Sequence, residues 1–589
     1  MRGGPEVGEV GWKIGGDQGE GIDSTGDVVA TVANRLGYHI YGYKSFSSRI
    51  KGGHTHYKVR IADHPVRAAS ATTQVLVALT QETIDKNVQE LSPGGAVVAD
   101  LAFSPSLPAG SELTLIGIPM AQIARQIGNP LTRNMVAVGA SAALLHLPME
   151  AFSAYVSEKF ERKGAEMVSQ NVRALGEGHA AALAQMPDGL AVRLPEVAPA
   201  HRLLLTGNQA VALGAVRAGC RIMAAYPITP ATDIMEQLVT LLPPLGGVVC
   251  QMEDEIAAIT LVIGAGYAGV RAMTATSGPG FSLMQEGMGL AASAEVPAVI
   301  VDCQRAGPST GMPTKNEQSD IMAAIFGGHG GAARVVLAPG TPEQAYRDIG
   351  HAFNLAEAYH LPVIVASDLS LGEWLQTVDD LPYADVSISR GSLISQAELL
   401  ALTDAYSRYQ VTASGVSPRS LPGQAKGQYL ATGVEHLPSG KVSEDPKNRR
   451  LEMDKREQKL STLSQSEPGT EYLGPERSDV LVITFGSTVG PVDEAVALAQ
   501  ESAAVARLQI RRLWPFPAAE VLAAAGRAAA VLFVEQNGQG QLAQLAEMSG
   551  LHHPHTAHLR RYDGTLFLPS EILTAILSGR QLATAKGVS

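Results

Sequence analysis

Between His201 and Gly372 the sequence keeps one rhythm: a short apolar run, a turn rich in glycine, proline or hydroxyl residues, then a helical stretch. The apolar runs fall at Ile222–Ala225, Gly247–Gln251, Arg271–Thr276, Ala298–Asp302, Arg334–Leu337 and Pro362–Ala366. Strands that alternate with helices in this way predict a parallel, doubly wound α/β sheet. The loops that leave the strands then collect at one edge of the sheet, where ligands bind in such folds.

The stiffest of those loops is Tyr226-Pro227-Ile228-Thr229-Pro230. A residue before proline is driven toward extended geometry, so Tyr226 and Thr229 are predicted non-helical. Pro230 is predicted at the first helical position, where its missing N–H is not needed, with Thr229 as N-cap. Asp233 and Glu236 follow and suit the positive end of the helix dipole. The same edge is predicted to hold Glu253, Asp254 and Glu255, then Ser277, Gly278 and Pro279, then Arg305–Gln318. Glu255 opens a helix whose remaining face is small and apolar. A carboxylate there is partly desolvated, which suits proton transfer. The alternative is an acid that only complements the helix dipole. Arg305 leads into a rigid, hydroxyl-rich loop that ends at Lys315. An arginine so placed can grip a carboxylate or phosphate through its bidentate fork, or can simply pair with an acid across the loop.

At 589 residues the chain is too long for one core, and about three or four domains are expected. Residues 1–197 read as a small α/β domain. In it the strand Gly11–Ile14 runs into the glycine-rich turn Gly15–Gly21 and a helix over Ile22–Leu36. That turn is either an anion site at a helix N-terminus or a set of glycines needed for tight packing. The polar stretch Ser45–His56 carries Arg49, Lys51, His54 and His56, and reads either as a solvated loop or as an anion or interface segment. Residues 198–372 hold the doubly wound sheet, and residues 373–475 read as an irregular connector. This connector is taken as surface-wrapping, with one exposed, charge-dense helix over Pro446–Leu463. Residues 476–589 form a further β/α domain, with strands at Val480–Phe485, Ala506–Arg511 and Ala530–Glu535.

The net charge of −12 argues against a nucleic-acid or anionic-membrane partner. No apolar run reaches the ~20 residues needed to span a bilayer. Met1–Gly11 lacks a signal-peptide pattern, so the cytoplasm is the expected location. The three cysteines, Cys220, Cys250 and Cys303, are far apart and no Cys-x-x-Cys occurs. An iron–sulfur cluster or zinc held by this chain alone is therefore not expected, and no metal site is assigned.

Several stretches together carry a resemblance. They are Tyr226-Pro227-Ile228-Thr229-Pro230, Glu255 within Gln-Met-Glu-Asp-Glu-Ile-Ala-Ala, Thr276-Ser277-Gly278-Pro279-Gly280, and Gln304-Arg305 followed by Pro308-Ser309-Thr310-Gly311. In this order they resemble the pyrimidine-binding domain of the thiamine-diphosphate-dependent 2-oxoacid:ferredoxin oxidoreductases. The first domain resembles that family's gamma domain, and the last its transketolase-like C-terminal domain. The fused gamma–alpha order, with Pro-Ser-Thr-Gly-Met-Pro-Thr, is most similar to alpha subunits that act on 2-oxoglutarate.

The resemblance implies roles by position. Glu255 matches the glutamate that bonds the aminopyrimidine ring of thiamine diphosphate and promotes its imino tautomer, which generates the ylid. Tyr226, Pro227, Ser277 and Gly278 fall where that ring is lined. Thr229 matches a threonine that touches substrate or cofactor, Arg305 the arginine for the substrate carboxylate, and Thr310 a second substrate contact. Gly16, Gly19, Gly21, Arg49 and Lys51 are the candidates for coenzyme A. The chain has no Gly-Asp-Gly, so the diphosphate with Mg2+, and a [4Fe-4S] cluster, are expected on a separate beta subunit in an (αβ)2 assembly. The implied reaction is coenzyme A-dependent oxidative decarboxylation of 2-oxoglutarate with ferredoxin as acceptor, reversible if the donor potential is low enough. The alternatives are the same reaction on pyruvate or branched-chain 2-oxoacids, and a non-catalytic coenzyme A- or nucleotide-binding subunit.

Overall fold

The computed structural model describes residues 8–46, 53–187, 190 and 192–585. It divides into two compact units, Met1–Leu205 with Trp374–Asp380, and Thr206–Glu373 with Leu381–Ser589.

The first unit is built on an eight-stranded sheet. Its order is Thr114–Ile118, Leu91–Asp100, Thr73–Ala78, Glu9–Asp17, His54–Ala62, His39–Ser45, Leu375–Val378 and Leu203–Leu205. From Thr114–Ile118 to Glu9–Asp17 the pairing is parallel, and beyond that it is antiparallel. Leu375–Val378 lies in the stretch read as an irregular connector, yet it is a strand. Its Thr377 Oγ1 accepts from Ile40 N at 2.8 Å and donates to Asn34 Oδ1 at 2.8 Å, and Trp374 packs edge-on against Tyr43. These contacts lie hundreds of residues apart in sequence, so no local pattern announces them. Gly15 and Gly16, read as part of a turn, are strand residues opposite His56 and Thr55. A Cβ on Gly15 would come within 2.7 Å of Thr83 Cγ2, and one on Gly16 within 2.4 Å of Glu20 Oε2. Both glycines therefore serve close packing.

The second unit carries two sheets. The larger has seven strands in the order Arg512–Trp514, Val335–Leu337, Pro362–Asp368, Ala298–Gln304, Ala272–Thr276, Ile222–Ala225 and Val248–Gln251. All are parallel except Arg512–Trp514, which crosses from the C-terminal region to pair antiparallel with Val335–Leu337. The smaller has five strands in the order Thr470–Leu473, Val505–Ile510, Ser478–Thr484, Ala528–Glu535 and Thr556–Arg560, parallel but for the first. One apolar core runs between the sheets, from Ala258, Ile300 and Ile364 to Leu481, Phe533 and Leu542. The C-terminal β/α region is thus fused to the larger sheet through burial of a shared face, which is the dominant favourable term in such packing.

The helix expected to lie exposed spans Pro446–Ser466 and is instead half sunk into the second unit. Glu452, Lys455, Arg456, Lys459, Leu460 and Leu463 are buried. The physical reason is an acid elsewhere in the fold. Glu295, itself fully buried, accepts from Lys455 Nζ at 2.5 Å and Lys459 Nζ at 2.8 Å. The two lysines are four residues apart and so share a helix face. Burial pushes the Glu295 carboxyl up, but Lys459, Lys455 and Arg408 outweigh it and hold it well below the usual carboxylate range. A run of charges reads as a solvated face only while its partners are unknown.

Candidate active site

Four neighbouring parallel strands of the larger sheet end at the predicted site loops. Ile222–Ala225 leads to Tyr226–Pro230, Val248–Gln251 to Glu253–Glu255, Ala272–Thr276 to Ser277–Gly280, and Ala298–Gln304 to Arg305. Parallel pairing puts these carboxyl ends side by side.

The first loop departs from the sequence reading. Thr229 is not an N-cap and Pro230 does not begin the helix. The helix runs over Thr232–Leu241 with Ala231 at its cap position, and the Thr229–Pro230 bond is cis. Side chains from other elements hold the turn open. Arg305 Nη1 donates to the Thr229 carbonyl at 2.7 Å, and Asn208 Nδ2 donates to the Pro230 carbonyl at 2.8 Å. Tyr226 stands 42% exposed beside this turn.

Glu255 does open its helix, Glu255–Tyr267, and is buried. Asp254 is the N-cap, its Oδ1 accepting from Ala257 N at 2.7 Å, while Glu253 is exposed. The Glu255 carboxylate lies flush against the backbone of Gly280. A Cβ on Gly280 would fall 2.3 Å from Glu255 Oε1 and 2.3 Å from Thr276 Oγ1. Glycine at 280 is thus what lets the next strand's turn close over the acid. In that turn Ser277 Oγ is buried without a hydrogen-bond partner.

Arg305 is buried beside the first loop, with Nε lacking a hydrogen-bond partner. Burial lowers its pKa, and the charge of Asp320 partly offsets that. After it the chain forms a tight hairpin in which Met312 N donates to Ala306 O at 2.9 Å and Ala306 N to Lys315 O at 3.0 Å. Gly311 is left-handed at φ 52°, and a Cβ there would meet the Ala306 carbonyl at 1.9 Å, so only glycine closes this turn. Thr310 sits exposed at the tip. The return limb is clamped by the C-terminal region. Gln318 N donates to Gln536 O at 2.7 Å, Thr488 Oγ1 to Gln318 Oε1 at 2.9 Å, and Gln318 Nε2 to Asp368 Oδ2 at 2.8 Å. Gln541 Nε2 donates to Ser319 O at 2.7 Å.

Two polar residues of this region escape a motif-based reading: Asp302 and Asp320. For Asp302 a signal was available, an acid inside the apolar run Val299–Cys303 of a central strand. A charged residue is almost never fully buried unless paired, so its presence there asks for an explanation.

Of the coenzyme A candidates, Arg49 and Lys51 lie outside the described residues. Gly19 and Gly21 are left-handed at φ 99° and 75°. Space is open around Gly19, whereas Asn134 Nδ2 fills the space over Gly21. Asp17 N donates to the turn's own Glu20 at 2.8 Å, and Arg133 pairs with that acid at 2.9 Å. Among the described residues no group of three or more His, Cys, Asp and Glu is placed to hold a metal ion, and no helix is long and apolar enough to cross a membrane.

Comparison with known proteins bears directly on this arrangement. Residues 213–455 match the family "Pyruvate flavodoxin/ferredoxin oxidoreductase, thiamine diP-bdg", residues 11–181 match "Pyruvate ferredoxin/flavodoxin oxidoreductase", and residues 478–572 match "Pyruvate:ferredoxin oxidoreductase core domain II". The 2-oxoacid:ferredoxin oxidoreductase 2 alpha subunit of Aeropyrum pernix is 32% identical over 90% of this chain and 92% of its own length. The chain belongs to the 2-oxoacid:ferredoxin oxidoreductase alpha-subunit family. The 2-oxoglutarate synthase subunit KorA of Methanothermobacter thermautotrophicus is 38% identical over 63% of this chain and 97% of its own length. The solved 2-oxoglutarate:ferredoxin oxidoreductase from Magnetococcus marinus, with 2-oxoglutarate, coenzyme A and succinyl-CoA bound, superposes with a TM-score of 0.90 at 35% identity, covering 98% of this chain and 100% of that one. The four strand-end loops of the alpha-subunit site therefore all lie within the thiamine diphosphate-binding domain of this oxidoreductase family.

Proposed function

We propose that this chain is the alpha subunit of a 2-oxoglutarate:ferredoxin oxidoreductase. The reaction takes 2-oxoglutarate and coenzyme A to succinyl-CoA and carbon dioxide, with two electrons passed to ferredoxin. The observation that carries the proposal is that Glu255, Thr229 and Arg305 follow the carboxyl ends of strands in one contiguous parallel run, with Ala272–Thr276 between those of Thr229 and Arg305, in a chain so similar throughout to an enzyme solved with 2-oxoglutarate bound.

The residues present fit the pyrimidine end of thiamine diphosphate. Glu255 is a buried carboxylate in a glycine-shaped cradle, and the Ser277 hydroxyl beside that cradle is buried without a hydrogen-bond partner. Glu255 would hold a proton toward a nitrogen of the bound ring, and Tyr226, Pro227, Ser277 and Gly278 would line it. When bound, the cofactor supplies the nucleophilic carbon that adds to the 2-oxo group and allows carbon dioxide to leave. Arg305 offers its free donors to the substrate carboxylate, and its bond to the Thr229 carbonyl fixes the guanidinium in place. Thr310 adds a hydroxyl from the hairpin tip. The beta subunit brings the diphosphate, Mg2+ and the [4Fe-4S] cluster, in an (αβ)2 cytoplasmic enzyme. In the first unit, the open turn at Gly19 remains the coenzyme A candidate.

Relatives named for 2-oxoacids in general favour a second reading, in which pyruvate or branched 2-oxoacids are turned over as well. Two measurements test the proposal on the purified alpha–beta complex. Glu255→Gln is expected to lower kcat by about 10²–10⁴-fold, the usual worth of a general acid–base group, with assembly intact. Near-normal turnover in that variant overturns the assignment. A steady-state comparison of 2-oxoacids is expected to give the highest kcat/KM with 2-oxoglutarate.

A further inference from the structure

Asp302 is a buried polar group of the second unit that the proposed reaction does not use. It sits in the strand Ala298–Gln304, level with Thr276 on one neighbouring strand and Ala366 on the other. It is fully buried, and neither carboxylate oxygen has a hydrogen-bond partner. A buried carboxylate with no donors takes up a proton rather than hold its charge. Asp320, at the end of the clamped loop, is tied to the same strand two residues further on. The Asp320 N–H donates to Gln304 Oε1 at 3.0 Å, and its own Oδ2 is buried and unpaired. That oxygen lies against the Gly278 turn, where a Cβ would stand 2.9 Å from it. Arg305 joins the two segments, following the Asp302 strand and opening the loop that ends at Asp320.

The charged groups facing the pair are few. Asp302 feels burial first and then Asp320. Asp320 feels burial, then Glu317 on its own loop, then Arg305. Asp368, on the adjoining strand, is occupied by Gln318 Nε2, Ser487 N and Leu371 N. Glu255 lies against Gly280 and Thr276 at the other end of the Ser277 turn. Cys303 donates toward Asn208, on the opposite face of the strand.

We propose that Asp302 and Asp320 are positioning residues for Arg305, with Asp302 kept as a neutral carboxyl, and that the charge carried by Asp320 sets how strongly Arg305 holds an anionic substrate. The inference rests on reading Arg305 as the site of the substrate carboxylate. Burial and Glu317 push Asp320 up to about 6, while Asp302 is pushed well above the carboxylate range. Above that pH the pair carries one negative charge, which competes with substrate for the guanidinium. Below it the pair is neutral and Arg305 is fully available.

The test uses the complete alpha–beta enzyme. The KM for the 2-oxoacid is measured from about pH 5 to about pH 8 for wild type, Asp320→Asn and Arg305→Ala. Expected for wild type is a fall of about tenfold on acidification, the equivalent of one pKa unit of coupling. Asp320→Asn is expected to give a low KM that no longer varies with pH, with kcat little moved. An infrared spectrum is expected to contain a protonated-carboxyl band that Asp302→Asn removes. If Arg305→Ala raises KM but Asp320→Asn keeps the wild-type pH profile, the pair proposal fails and the Arg305 reading stands. If Arg305→Ala leaves KM unchanged, both fail. A wild-type enzyme without the carboxyl band also overturns the neutral Asp302.

Discussion

Replacing Gly280 by alanine separates positioning of the acid from stability of the fold. Gly280 lies in the first turn of the helix Gly278–Leu283. The added Cβ would stand 2.3 Å from both Glu255 Oε1 and Thr276 Oγ1. Non-bonded heavy atoms settle at about 3.5 Å, so the carboxylate has to retreat by about 1 Å. Displacement of a reacting group by about 1 Å lowers rate by on the order of 10²-fold. The stability effect is smaller, because two terms oppose. Overpacking a core costs about 1–3 kcal/mol, and alanine gains about 1 kcal/mol over glycine in a helix. The net change is therefore at most about 2 kcal/mol. The assay pairs kcat of the alpha–beta complex with urea unfolding of the same preparation. The expected result is kcat down by about 10²-fold with only a modest shift of the unfolding midpoint. A variant with wild-type kcat would refute the claim that Gly280 shapes the cradle of Glu255. A variant that does not fold would refute the stability side of the reasoning.

Other outcomes follow from the same geometry. Arg305→Ala is expected to raise the 2-oxoacid KM by roughly 10–100-fold with a smaller change in kcat, since loss of one charge-assisted contact is worth about 1.5–3 kcal/mol; steady-state kinetics checks this. Glu295→Gln is expected to destabilise the second unit by about 3–5 kcal/mol, because it leaves Lys455, Lys459 and Arg408 without their buried acid. Limited proteolysis within residues 381–475 and urea unfolding report it, and a change under about 1 kcal/mol would argue against the clamp. The sign with pH is set by the depressed carboxyl of Glu295. Its stabilisation is complete above the ordinary carboxylate range and is lost only as pH falls below it, so the wild type and the variant should converge in strong acid.

Much of the site could be read from the chain alone. Short apolar runs, each followed by a turn and a helix, fix a parallel sheet, because a strand of that length cannot return to a parallel neighbour without a crossover. That logic put Thr229, Glu255, Ser277 and Arg305 on one sheet edge, and their strands are indeed adjacent. Glu255 at the head of its helix was equally legible, since the local sequence supplies both the Asp254 cap and the apolar face behind it.

Long-range partners decided the rest. The helix begins at Thr232 and not at Pro230, and Arg305 and Asn208, distant in sequence, tie down the carbonyls of the turn before it. The charged helix Pro446–Ser466 is buried because Glu295 waits for its lysines, and residues 375–378 are a strand because Asn34 and Ile40 offer them hydrogen bonds. Sequence determined which residue types stand at which strand ends, through local propensity and periodicity. Only the tertiary structure decided which buried polar groups find partners and which, like Asp302 and Ser277, do not, because that depends on side chains brought together across the whole fold.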